Sequence, residues 1–101
     1  MKQDAILITS LDNVATALRD MEAGQACHFL KGEQAVSVVV QDAIVYGHKF
    51  AVVDILKGAD IIKYGEVMGR ATADIPRGAH AHVQNIESLR GRGDLKHKGG
   101  T

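Results

Sequence analysis

The chain is short of the residues that hold many small domains together. It has one cysteine, Cys27, no tryptophan, one proline and four aromatic residues, Phe29, Tyr46, Phe50 and Tyr64. A single thiol excludes an internal disulfide and, with no paired cysteine, a zinc-thiolate centre. Cys27 is expected as a small, partly buried strand residue, because only His28 stands near it in sequence to activate it. With so few aromatics the core must be mainly Ile, Val, Leu and Ala. No apolar run approaches the roughly 20 residues that a membrane-spanning helix needs, and the N-terminus lacks a charged-then-apolar signal pattern. The expectation is a soluble, cytoplasmic protein without a membrane partner. An excess of one charge is missing too. Twelve basic and twelve acidic residues cancel, which removes the electrostatic case for a nucleic-acid partner across the domain as a whole.

At 101 residues, with 46% hydrophobic and 24% charged residues, the composition is that of one small globular domain and not of a disordered chain. Residues 1–90 are expected to form it, and residues 91–101 a flexible basic tail. Arg92-Gly93-Asp94 in that tail spells an adhesion tripeptide, but in a chain without an export signal it reads as a surface turn.

Short apolar runs cut by glycine predict many short strands with tight connections. Residues 5–9, 26–30, 34–40, 48–55, 61–64, 70–75 and 79–86 are the strand candidates. In the third, Val36, Val38 and Val40 share a face; in the fourth, both faces are apolar, as in a strand covered on both sides or set across a small barrel. Lys31-Gly32-Glu33 is a hairpin-like break. Residues 10–24 change period: Val14, Leu18 and Met21 fall on one helical stripe, Asp12 or Asn13 can cap its start and Gly24 its end. Ile75-Pro76-Arg77-Gly78 fits a type I turn. No internal repeat is apparent. The sum is a mostly β domain of about seven short strands with one short helix.

Two polar clusters bracket the glycine-rich centre: Gly47, His48 and Lys49 before it, His80, His82 and Asn85 after it. In an extended stretch His80 and His82 leave the same face, a common way to present two imidazoles to one metal ion or anion. The spacing also fits two ordinary edge-strand histidines. His48 and Lys49 should emerge on opposite faces, with one of them a base or an anion anchor, or else as a turn histidine with a solvated lysine. Lys63 reads either as a carboxylate anchor or as a snorkelling strand lysine. Tyr64 carries a hydroxyl that needs a partner if buried. Asn85 falls on the opposite parity and needs a bend to join the histidines. No nucleophile triad, phosphate-cradling loop or paired-carboxylate site stands out.

GHKFA at 47–51, KGxxIIKYG at 57–65, Gly69 with ATADI at 71–75, and GxHxHxxN at 78–85 carry, in order and spacing, a pattern that resembles the small domain of the altronate/galactarate dehydratase superfamily. The small subunit of sulfolactate sulfo-lyase shares it, and TSLDNVATAL near the start extends the likeness to about residues 6–95. The resemblance implies a SAF-type β-clip fold and the dehydration of a sugar acid: the C2 proton leaves, then the C3 hydroxyl, giving a 2-keto-3-deoxy acid. It implies a divalent metal, Fe2+ in the family, which would stabilise the enediolate. Carried onto this chain, it marks His48 and Lys49 as catalytic candidates, Lys63 and Asn85 as substrate-binding, and His80 and His82 as metal ligands. Gln84 stands where relatives commonly have a third histidine before the asparagine. The family's full enzymes have a much larger second region, so the expected partners are a large dehydratase subunit and an aldonate or aldarate, with a homo-oligomer left open. The alternatives are a non-catalytic sugar-acid or protein-binding module, a sulfolactate sulfo-lyase small subunit, and a cupin-like metal site using Glu87, against which the glycine and proline spacing argues.

Overall fold

The computed structural model describes residues 2–88; the expected tail at 91–101 lies outside them. Among the described residues there are nine short strands and no helix: β1 (Ala5–Ile6), β2 (Val14–Ala17), β3 (Ala26–Lys31), β4 (Gln34–Val39), β5 (Lys49–Ala51), β6 (Asp60–Lys63), β7 (Glu66–Ala71), β8 (His80–Ala81) and β9 (Ile86–Ser88). A mostly β domain is what the sequence led us to expect. The helix over residues 10–24 is not found. There β2 pairs antiparallel with β1 on one side and β5 on the other, and Val14, Ala15 and Ala17 are buried while Leu18 of the supposed apolar stripe is exposed. Small alternating side chains suit a strand flanked on both edges, and that pairing overrides the alanines' helix preference.

All strand contacts are antiparallel, in sheets of order β1-β2-β5-β8, β3-β4 and β6-β7-β9. The first sheet lies between two apolar clusters. Ala15, Ala17 and Phe50 face one cluster with Cys27, Phe29 and Val38; Val14, Ala51 and Ala81 face the other with Ile55, Ile61 and Ile75. β5 is therefore covered on both sides, as its doubly apolar pattern suggested, although it ends at Ala51 and does not run on to residue 55. Cys27 is fully buried, and burial pushes its thiol up to about 12, so it is an inert core residue.

The structure contains a repeat that the sequence reading missed. Asp20-Met21-x-x-Gly24, Ala43-Ile44-x-x-Gly47, Asp54-Ile55-x-x-Gly58 and Asp74-Ile75-x-x-Gly78 adopt one conformation, each ending in a turn whose fourth N–H bonds back to the first C=O, as Ala79 does to Pro76 at 2.9 Å. All four glycines have φ near +90°, the third position of a type II turn. The proline turn is thus type II over residues 76–79, not type I over 75–78. Ile75 is unavailable to it because it exchanges both backbone bonds with Ile55, at 2.8 and 2.7 Å. Met21 and Ile44 pair in the same way, so the four units associate as two reciprocal pairs. Unequal chain lengths between copies hide the repeat from a search for a fixed period.

Asp12 and Asn13, expected as helix caps, instead fasten distant chain. The Asn13 side chain accepts from Ile62 N–H and donates to Asp60 C=O, both at 2.8 Å. The buried Asp12 carboxylate accepts from Thr9 N–H and hydroxyl and from the backbone N–H groups of Tyr64 and Gly65. Those last two form the hairpin between β6 and β7, where Tyr64 has φ 59° and Gly65 φ 72°. A left-handed conformation costs a tyrosine about 1–2 kcal/mol, which Asp12 offsets by fixing both N–H groups of the turn.

Candidate metal and anion site

His48 closes the type II turn over residues 45–48 and leads into β5, which pairs with β8 through Phe50↔His80 and Lys49↔Ala81. Continuing that register by one residue sets His48 across from His82. All three imidazoles share one face, and the two polar clusters that bracket the chain's centre meet there. The His48 and His82 rings stack with centroids 4.2 Å apart, His48 and His80 at 5.1 Å, and His80 and His82 at 5.6 Å. His48 Nδ1 lies 2.9 Å from His80 Nε2, and a ligating nitrogen from each of the three lies within 4.8 Å of the others.

Two side chains missed by the sequence reading steady this array. Gln84, noted only as a departure from a family histidine, places its amide nitrogen 3.0 Å from His80 Nδ1. Asp42 accepts from His80 N–H at 2.9 Å. Asn85 does reach the histidines, through the bend after β8, but it serves the backbone: its oxygen accepts from His82 N–H and its amide donates to His80 C=O.

The donor set suits a first-row divalent ion. Burial, then His48, lowers the proton affinity of both His80 and His82; nearby Lys49 acts the same way, and Asp42 opposes it at His80. Both rings are thereby held toward the neutral, ligating form. His82 Nδ1 is buried with no hydrogen-bond partner among the described residues, and a buried unsatisfied ring nitrogen beside two other imidazoles is what a bound cation would relieve.

Beside the histidines is a groove of about 280 Å³ lined by Lys49, Lys63, Tyr64, Met68 and His82 with Val83 and Ile86. Lys49 leaves β5 on the face opposite His48, as the alternation required. It is half-buried, and burial, then the charge of Lys63, lowers its proton affinity below that of a free lysine. Among the described residues no carboxylate forms an ion pair with either lysine. Two cations in one largely apolar groove, with no described carboxylate paired to them, could serve as an anion-binding wall. Lys63 also lies 5.0 Å over the Tyr64 ring. Met68 enters the groove because it is the extra residue of a bulge in β7, between the pairs Ile61↔Gly69 and Ile62↔Val67. Gly69 then lets β9 approach: a Cβ there would lie 2.6 Å from the Glu87 carbonyl oxygen.

The family model for the altronate/galactarate dehydratase SAF domain matches residues 3–89. The chain belongs to that family. As a SAF domain it is 44% identical over 83 residues to altronate dehydratase of Escherichia coli, covering 82% of this chain and 16% of that protein. It is 41% identical, over the same shares of each chain, to altronate dehydratase of Bacillus subtilis. It is 35% identical over 72 residues to the (2R)-sulfolactate sulfo-lyase subunit alpha of Chromohalobacter salexigens, covering 69% of this chain and 77% of that subunit. The match thus spans about a sixth of the altronate dehydratases but most of the sulfo-lyase subunit. No helix among the described residues is long and apolar enough to cross a membrane.

Proposed function

We propose that this SAF domain is the small subunit, or N-terminal-type domain, of a sugar-acid dehydratase of the altronate/galactarate type, working in the cytoplasm with a separate large subunit. The observation that carries the reading is the convergence of His48, His80 and His82 from two distant segments beside a groove with two lysines that no described carboxylate pairs. The three imidazoles would hold one divalent ion, Fe2+ by analogy with the family. Such an ion, when bound, supplies Lewis acidity for an acid whose C2 proton is only weakly labile. Lys49 and Lys63 bind and orient the substrate carboxylate, and the apolar flank of Met68, Val83 and Ile86 limits water. Asn85 contributes by holding the histidine bend instead of touching substrate.

The 77% coverage of a sulfo-lyase subunit alpha favours one second reading, in which the leaving group is sulfite instead of water. Purifying the chain with its large subunit, adding ferrous iron and assaying 2-keto-3-deoxy acid formation from aldonates and aldarates, and sulfite release from sulfolactate, separates the two. Turnover of a sugar acid, abolished by His48→Ala with His80→Ala, is expected. Full turnover in that double variant would refute the site.

A further inference from the structure

We propose that Asp42 is a positioning residue for the histidine site: its carboxylate fixes the backbone of His80 and so the aim of the His80 ring at His48. The first ground is the repeat. Asp20 accepts from Tyr46 N–H, Asp54 from Arg77 N–H and Asp74 from Lys57 N–H, each at 2.8 Å, so an aspartate before the Ile or Met bonds to the turn of the partner unit. The remaining unit has Ala43 at that place. Its aspartate stands one residue earlier, at Asp42, and bonds to His80 N–H at 2.9 Å. The repeat departs from its rule where it meets the three imidazoles, as expected when local regularity yields to a site.

The second ground is the sheet edge. β8 is only two residues long and pairs with β5 on one side. The outward N–H and C=O of His80 are taken by Asp42 and by the Asn85 amide. Two side chains thus take the place of a neighbouring strand on the edge that no described strand pairs. The ring beyond that backbone reaches His48 Nδ1 at 2.9 Å, a contact that a small rotation of so short a strand would break.

The experiment uses the whole 101-residue chain with Co2+ as the probe, plus ring-nitrogen NMR of the metal-free protein. The inference rests on the metal reading only for its cobalt arm. Asp42→Ala is expected to weaken cobalt binding about 10-fold or more and to shift the His80 and His48 ring nitrogens. Asp74→Ala, which removes the sibling bond to Lys57 N–H and touches no atom of His80, should leave both unchanged at a comparable loss of Tm. Asp42→Asn keeps an oxygen for His80 N–H and should restore most of the affinity. Asp42→Ala with Ala43→Asp rebuilds the rule of the repeat and should recover Tm but not affinity. Cobalt affinity within about twofold of wild type in Asp42→Ala, with unmoved ring nitrogens, overturns the proposal, as does full recovery of affinity in the double variant. If the wild-type chain takes up no cobalt, the metal reading falls, and the ring-nitrogen spectra alone decide for or against Asp42.

Discussion

The two pairs of repeated units are built alike and used differently. In the pair formed by residues 51–60 and 71–80, both aspartate bonds are present, Asp54 to Arg77 and Asp74 to Lys57, around the Ile55·Ile75 bridge. In the pair formed by residues 17–26 and 40–49, around the Met21·Ile44 bridge, only Asp20 bonds to its partner's turn, and the other aspartate is diverted to His80. The regular pair is a scaffold, and the irregular one gives up a bond of its own to hold a histidine from the other. A duplicated framework can spare one of its equivalent contacts because the bridge and the turn survive without it.

The largest expected effect would break the junction between the halves. Phe50 is fully buried in one cluster while its neighbour Ala51 is buried in the other. Phe50→Ala should cost about 3–5 kcal/mol in urea unfolding; a loss below about 1 kcal/mol would mean that β5 does not couple the halves. A smaller effect tests the symmetry itself. Asp54→Ala and Asp20→Ala each remove one aspartate bond to a turn N–H, at about 1 kcal/mol by the usual worth of such a bond. The two losses should agree, because both carboxylates accept at 2.8 Å from the same turn position. A difference of more than about 1 kcal/mol would show that the units are alike in shape but not in energy.

Acid sharpens the contrast further, because the site that the irregular pair helps to hold has histidines that resist protonation. His80 and His82 are lowered from the ordinary 6.5 by burial first and by His48 next. The unfolded chain therefore binds more protons than the folded one as pH falls below about 6.5. The stability these groups contribute is complete above that value and lost as pH drops through their lowered ones. Urea midpoints should fall between pH 7.5 and 5.5, and His80→Gln with His82→Gln should flatten that fall. Equal midpoints in the wild-type chain would remove the burial argument. The smallest effect is at the hairpin: Tyr64→Asn, relieving the left-handed tyrosine, should raise stability by about 0.5–1 kcal/mol.

Much of the site is legible in the sequence because it depends on alternation. His80 and His82 share a face, Lys49 leaves on the face opposite His48, and the hairpin at Gly32 joins two strands as its residues indicate. What could not be read is everything set by partners distant in sequence. Ala15 and Ala17 suit a helix as well as a strand, and only β1 and β5 on either side decide between them. Asp12 looks like a cap until Tyr64 and Gly65 arrive from 52 and 53 residues further along the chain. Gln84 and Asp42 are unremarkable as letters and become part of the site only through His80.

Periodicity and glycine placement, both local properties, determined by themselves that the chain is a mostly β domain cut into short strands and that His80 and His82 share a face. Tertiary structure decided the frame of the turns, the absence of a helix from the described residues, the pairing of the repeated units and the side chains that hold the imidazoles. Those are matters of hydrogen-bond satisfaction across long stretches of chain: each backbone N–H and C=O must find a partner, and which partner is nearest is settled only when the sheets come together.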